Sequence, residues 1–217
     1  MNCSTAYGIR HRVVRADTAS WLHKNAPHTG TRYVIVLYNK DLNYTGSTEC
    51  ARSVSVRGAP ALERPEYLAT RDGEDVARAR DNLLTVLERS TLPLDRCGNG
   101  AALHEKYADN PARLLSFGVS ASRQSRAKRA ARGLLTRATP NLNNVRYPTV
   151  YRALCAYLDA LAPGLFAPDG EYHACIVAKD AQCVWHRDKR NIGHAALTAL
   201  GMFEGGELLI QTPAAGP

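Results

Sequence analysis

The chain has no long apolar run: its longest, such as Tyr33 to Tyr38, fall far short of the roughly 18 residues that a membrane-spanning helix needs. It has no basic flank leading into an apolar block at its start, where Met1-Asn2-Cys3-Ser4-Thr5-Ala6-Tyr7-Gly8 stands, so no secretory signal is read there. It has no C-x-x-C pair either. Cys3, Cys50, Cys97, Cys155, Cys175 and Cys183 are widely spaced, which argues against a zinc knuckle and suits small core residues in a reducing, intracellular setting, nucleus or cytoplasm. Gly and Pro together number 27 of 217 residues, too few for a collagenous or low-complexity chain, and no internal repeat is found.

One further absence is local. From Asn110 to Leu158 there is no acidic residue, while Arg113, Arg123, Arg126, Lys128, Arg129, Arg132, Arg137, Arg146 and Arg152 are all basic. The rest of the chain holds 19 bases and 20 acids, so the net charge of +8 belongs to that one stretch. Drawn as a helix at about 100° per residue, Ser122 to Ala138 gathers Ala127, Ala130, Ala131, Leu134 and Leu135 on one arc and Arg126, Lys128, Arg129 and Arg132 on the other. Such a face tracks phosphates without reading sequence; equally, it is what a solvated helix face or a basic loop looks like. Few aromatics interleave with the bases, so single-strand stacking is not indicated.

What is present fits a globular domain of one core: 45% hydrophobic and 22% charged residues over a length that buries about 70% of the unfolded surface. Thr31 to Tyr38 reads as a buried strand closed by Asn39-Lys40-Asp41, and Ser53 to Arg57 as an edge strand. Asp72 or Asp75 caps a helix to about Arg89; Asp109-Asn110-Pro111 signals a short helix into Leu114 and Leu115; Pro148-Thr149 opens a third that ends near Ala162. Strands are expected at 171–179, 195–202 and 206–212, the last two forming a hairpin across Phe203-Glu204-Gly205-Gly206. Helical supports followed by a strand-rich end give an α+β class.

Chemistry concentrates at Trp185-His186-Arg187-Asp188. Residues i and i+2 of an extended chain share a side, so His186 and Asp188 converge while Arg187 points away. An imidazole and a carboxylate presented together are two corners of the facial triad that holds non-haem Fe(II), although a surface His and Asp in a loop share the same spelling. Asn191 and Gly193 follow; Asn191 is either a plain turn residue or, as the family resemblance given next implies, a substrate or supporting contact beside the metal. Gly205 and Gly206 read as turn glycines, and Glu204 and Glu207 as solvated carboxylates on opposite sides of the turn.

The string from Trp185 through Gly193, followed by Leu200-Gly201-Met202-Phe203-Glu204-Gly205-Gly206-Glu207-Leu208, resembles the Fe(II)/2-oxoglutarate dioxygenases, in particular the branch related to the TET/JBP nucleobase oxygenases. There H-x-D is followed by N-x-G and then by an L-G-x-F-x-G-G-x-L block; Arg146-Tyr147-Pro148 opening a helix also fits that order. The resemblance covers about residues 113 to 211. It implies a partial double-stranded β-helix, or jelly roll, with supporting helices over 111–217, behind a region 1–110 of unassigned role. It further implies His186 and Asp188 as iron ligands, Fe(II) and 2-oxoglutarate as cofactors, and oxidation of a C–H bond, on a nucleobase of DNA or RNA.

The family's third ligand is a histidine tens of residues downstream, followed by an arginine for the far carboxylate of 2-oxoglutarate, and this sequence stops at Pro217 before either. Two protein ligands are therefore expected, with the 2-oxoglutarate residues unassigned and a missing C-terminal segment or second chain required to complete the barrel. His194 lies only six residues beyond Asp188, too near to substitute, and His173 is the better placed but disfavoured candidate. Cys175 and Cys183, near His186, are read as packing residues. The alternative to an enzyme is a catalytically dead remnant whose basic segment binds nucleic acid or protein; a purely structural basic protein leaves the H-x-D and G-G-x-L blocks unexplained.

Overall fold

The computed structural model describes residues 4–40, 62–93, 113–120, 139–166, 170–188 and 191–212. In chain order the elements are β1 (Thr5–Tyr7), β2 (Val14–Ala16), β3 (Leu22–Asn25), β4 (His28–Gly30), β5 (Tyr33–Lys40), β6 (Glu66–Tyr67), α1 (Glu74–Glu88), β7 (Arg113–Ser120) and β8 (Thr139–Pro140). They continue with α2 (Asn143–Arg146), α3 (Pro148–Leu161), β9 (Ala174–Lys179), β10 (Asn191–Leu200), β11 (Phe203–Gly205) and β12 (Leu208–Gln211). This is a mixed α+β fold built mainly from antiparallel sheets. No helix among the described residues is long and apolar enough to cross a membrane.

A seven-stranded sheet, in the order β6-β2-β10-β5-β9-β7-β8, carries helices on one face. A three-stranded sheet, β1-β12-β3, covers part of the other, and β4 pairs with β11 in a short ribbon. The run Tyr33 to Tyr38 is continuously apolar because β5 lies near the centre of the larger sheet and is buried on both sides. Tyr33, Ile35 and Leu37 join Leu83 and Leu87 of α1 and Leu154, Leu158 and Leu161 of α3 in the helix-side core. Val34 and Tyr38 turn to the other face and meet Leu197 of β10 and Leu208 and Ile210 of β12. Each aliphatic side chain so enclosed contributes about 1.5–3 kcal/mol over leaving it in water.

Three expectations are corrected. Arg113 to Ser120 is a strand, not the tail of a short helix: Leu115 and Phe117 are buried at a spacing of two, and pairing with β9 from Arg113↔Lys179 to Gly118↔Ala174 outweighs the local Asn-Pro signal. The hairpin across Phe203 to Gly206 does not form. β10 pairs with β2 and β5 whereas β12 pairs with β1 and β3, and positive φ at Gly201, Gly205 and Gly206 carries the chain from one sheet to the other. The first helix is capped by Gly73, with Asp75 in its first turn. The expected strand at 53–57 and the basic helix at 122–138, with Arg126, Lys128, Arg129 and Arg132, lie outside the described residues.

Strands from residues 1–110 and 111–217 alternate within the same sheets: β5 sits between β9 and β10, and β12 between β1 and β3. β1 and β12 are antiparallel neighbours in which Thr5 faces Ile210.

Candidate metal centre

His186 does not lie in a free loop. It forms an isolated antiparallel bridge with His23 of β3: the His23 N–H donates to the His186 carbonyl at 3.0 Å and the His186 N–H to the His23 carbonyl at 3.1 Å. Two residues paired in this way project their side chains to the same face, and the imidazole centroids are 4.2 Å apart. The seam continues on either side. The Asp188 N–H donates to the Thr18 carbonyl at 2.8 Å, and Arg187 Nε to the Ser20 carbonyl at 2.7 Å, so Arg187 does turn away from its two neighbours.

Both imidazoles are oriented by the same local device. His23 Nδ1 lies 3.2 Å from the Trp21 carbonyl and His186 Nδ1 lies 2.7 Å from the Val184 carbonyl, each two residues upstream. A carbonyl only accepts, so Nδ1 carries a hydrogen in each ring and Nε2 is the nitrogen turned toward the carboxylate. His23 Nε2 is 3.5 Å from Asp188 Oδ2, and His186 Nε2 is 3.7 Å from Asp188 Oδ1. Two imidazole nitrogens and a carboxylate thus converge, an arrangement that ring protons paired with the carboxylate satisfy and that, with both Nε2 atoms unprotonated, a cation satisfies equally. Ligand atoms at about 2.1 Å from one ion sit about 3.0 Å apart at a right angle and about 3.4 Å apart at a tetrahedral one, both shorter than the 3.5 and 3.7 Å seen between each imidazole and the carboxylate. His23, His186 and Asp188 thus form a group that could hold a metal ion, with ligand atoms all within 4.8 Å of one another.

The structure brings a third candidate ligand to the expected pair: His23, upstream rather than downstream and on this chain, so the group that could hold a metal ion has three members. His23 is 4% exposed, yet nothing around Leu22-His23-Lys24-Asn25 marks it as a ligand. Neither His173 nor His194 joins the group. The His173 N–H donates to Asn39 Oδ1, while His194 lies on β10 within reach of Asp17 and Arg15, and burial lowers the pKa of each imidazole. Asn191, left open between two roles, supports the carboxylate's segment: its N–H donates to the Asp188 carbonyl at 2.9 Å and its Nδ2 to Thr18 Oγ1 at 3.2 Å.

The triad opens onto a cavity of about 70 Å³ between the two sheets. Val34, Val36, Ile176, Leu197 and Leu208 give it apolar walls, and Tyr38, Asn191, Ala181 and Cys183 also line it. Lys24 also lines it, with Nζ 5.0 Å from the Trp185 ring centroid. Behind the Ala181 wall lies Arg32, fully buried, donating from Nη2 to the Ala181 carbonyl at 2.7 Å and from Nη1 to the Gly206 carbonyl at 2.8 Å. Its Nε is buried with no hydrogen-bond partner. Gly206 is more than a turn residue, since a Cβ there would run into the Arg32 guanidinium. Asp180, at a left-handed φ of 51°, accepts from the Arg32 N–H at 2.7 Å and lies 3.8 Å from His28 Nε2.

Of the two cysteines near His186 in sequence, Cys175 packs in the helix-side core and Cys183 lines the cavity. Of the acid-free stretch, Arg113, Arg146 and Arg152 are described and exposed. No family model, curated protein or solved structure matches the chain.

Proposed function

We propose that the protein is an Fe(II)- and 2-oxoglutarate-dependent dioxygenase whose double-stranded β-helix is written in rotated order. The observation that carries this reading is the convergence of His23 Nε2 with the H-x-D pair on one cavity. Two imidazoles and one carboxylate are the donor set of the facial triad, which leaves coordination positions open. The rotated order supports it. Passing from Ile210 to its register partner Thr5, as though the chain were closed there, the sequence of residues becomes His186, Asp188, His23, Arg32. That is H-x-D, then a downstream histidine, then an arginine, the order that the family resemblance implies.

In this reading His23 and His186 donate their Nε2 lone pairs and Asp188 a carboxylate oxygen. Bound there, iron and 2-oxoglutarate would supply the oxidising power for hydroxylating a C–H bond, with succinate and carbon dioxide as co-products. Arg32 would anchor the far carboxylate of 2-oxoglutarate. Its guanidinium is already desolvated, lacks a direct carboxylate partner among the described residues and holds one N–H without an acceptor, but it stands behind the Ala181 carbonyl, so a carboxylate in the cavity would have to displace that carbonyl to reach it. The aliphatic walls exclude water from the cavity itself. A nucleic-acid substrate belongs to the proposal through the resemblance and through the acid-free stretch with its exposed Arg113, Arg146 and Arg152.

The test is anaerobic. Fe(II) added to the purified protein should bind at one equivalent, and 2-oxoglutarate should then produce a visible charge-transfer absorption. Both should be lost in His23→Ala, His186→Ala and Asp188→Ala, and only the second in Arg32→Met. Equal iron content in the wild type and the three ligand variants sinks the reading.

A further inference from the structure

We propose that Thr18 is a positioning residue of the metal centre, clamping Asp188 from both sides of its main chain; the claim rests on the metal reading. The Asp188 N–H donates to the Thr18 carbonyl at 2.8 Å. On the other side the Asp188 carbonyl accepts from the Asn191 N–H at 2.9 Å, and Asn191 Nδ2 donates back to Thr18 Oγ1 at 3.2 Å. Three hydrogen bonds thus close a ring that begins and ends at Thr18. With its N–H and its carbonyl both held, Asp188 has little freedom in φ and ψ, and the direction in which its carboxylate leaves the chain is set. Thr18 is 1% exposed, so water does not compete for its hydroxyl.

The turn that carries Thr18 serves a second ligand. The Trp21 N–H donates to the Asp17 carbonyl at 2.9 Å and the Ser20 N–H to Asp17 Oδ1 at 3.0 Å, which closes residues 17–21 and brings the Trp21 carbonyl to His23 Nδ1. One short segment between β2 and β3 therefore orients both the carboxylate and an imidazole of the triad. Its hydroxyl is the part that a substitution can remove alone. Thr18→Val keeps the side chain's outline and the main-chain bond to Asp188, and it takes away the oxygen that Asn191 Nδ2 donates to. Groups that orient metal ligands from behind are worth about tenfold to a hundredfold in metal affinity.

The experiment begins on metal-free protein, with amide hydrogen exchange read residue by residue. In Thr18→Val the Asp188 and Asn191 amides should exchange about tenfold faster relative to the Val177 amide of β9, which lies outside the ring, and in Thr18→Ser that ratio should stay at its wild-type value. Mn(II) affinity should fall about tenfold or more in Thr18→Val and stay within about twofold of wild type in Thr18→Ser, which keeps the hydroxyl. It should also hold in Leu154→Ala, which weakens the helix-side core without touching the ring. The ligand-field absorption of bound Co(II) should shift in Thr18→Val alone, as a displaced carboxylate requires. A folded Thr18→Val that binds Mn(II) as the wild type does overturns the proposal, and so does an equal loss in Thr18→Ser or Leu154→Ala. Wild-type protein that binds no Mn(II) refutes the metal reading and the metal role of Thr18 with it, while the exchange comparison still decides whether Thr18 clamps Asp188.

Discussion

Replacing His23 with alanine tests the site at the residue that completes it. The substitution removes one of three donors and leaves His186 and Asp188 in place, still joined to the N-terminal segment through backbone bonds that need no side chain, such as Asp188 N–H to the Thr18 carbonyl. Loss of a supporting partner behind a metal ligand already costs tenfold to a hundredfold in affinity, so loss of the ligand itself should cost at least about a hundredfold, or about 2.7 kcal/mol. The readout is thermal. At a free Mn(II) concentration about one hundred times Kd, wild-type protein gains about 2.7 kcal/mol, which for a chain of this size raises Tm by about 5–11 °C. His23→Ala should show almost none of that rise at the same concentration. Because His23 is buried and bonded to the Trp21 carbonyl, its loss also lowers metal-free stability by about 1–3 kcal/mol, so a control must share that cost. His28→Ala is such a control: its side chain is 4% exposed and it lies outside the triad. A metal-induced rise that survives in His23→Ala, or vanishes equally in His28→Ala, refutes the assignment.

Other expectations separate the site from its scaffold. Leu154→Ala, in the core on the helix side of the sheet, opposite the cavity, should cost about 2–5 kcal/mol in urea denaturation while leaving Mn(II) affinity unchanged in the folded fraction. Gly206→Ala imposes a left-handed φ of 74° on a residue with a Cβ and presses that Cβ on Arg32, so a loss of about 1–3 kcal/mol is expected, with weaker 2-oxoglutarate binding than metal binding. His28 has its pKa lowered from 6.5, first by burial and then by Arg32. The unfolded chain therefore takes up this proton at higher pH than the folded one, and the stability involved is present above 6.5 and lost as pH falls below it toward the folded value. Urea denaturation across that window should show the loss, and His28→Gln should flatten part of it; an unchanged slope would remove His28 as a contributor. A permuted chain, with the ends linked and a new opening after β5, should bind Mn(II) as the wild type does, since Thr5 and Ile210 already face each other; loss of binding in a folded permutant would count against the rotated order.

How much of this was legible beforehand depends on where each signal resides. β5, α1 and α3 are written locally, as a β-branched run, a spacing of three and four, and Pro148 at a first turn, and they form where expected. The helix expected after Asn110-Pro111 fails because capping residues report one or two hydrogen bonds, whereas β7 gains a ladder along β9 that lies some sixty residues away in sequence. The hairpin fails for a related reason. Glycines with positive φ mark a sharp change of direction, but they do not say whether the next strand returns to the same sheet or crosses to another.

The metal centre shows the same division more sharply. His186 and Asp188 sit two residues apart, so strand periodicity alone brings them together. His23 reaches them only because β3 lies beside residues 184–188, a non-local pairing that leaves no mark in Leu22-His23-Lys24-Asn25. In the proposed rotated reading, order along the chain differs from order around the sheets. Sheets fix neighbours in space and leave the cutting point of a closed arrangement open. With β1 beside β12, residues expected after Leu208 can equally stand near the beginning, and in the proposed reading His23 and Arg32 are those residues, nine positions apart.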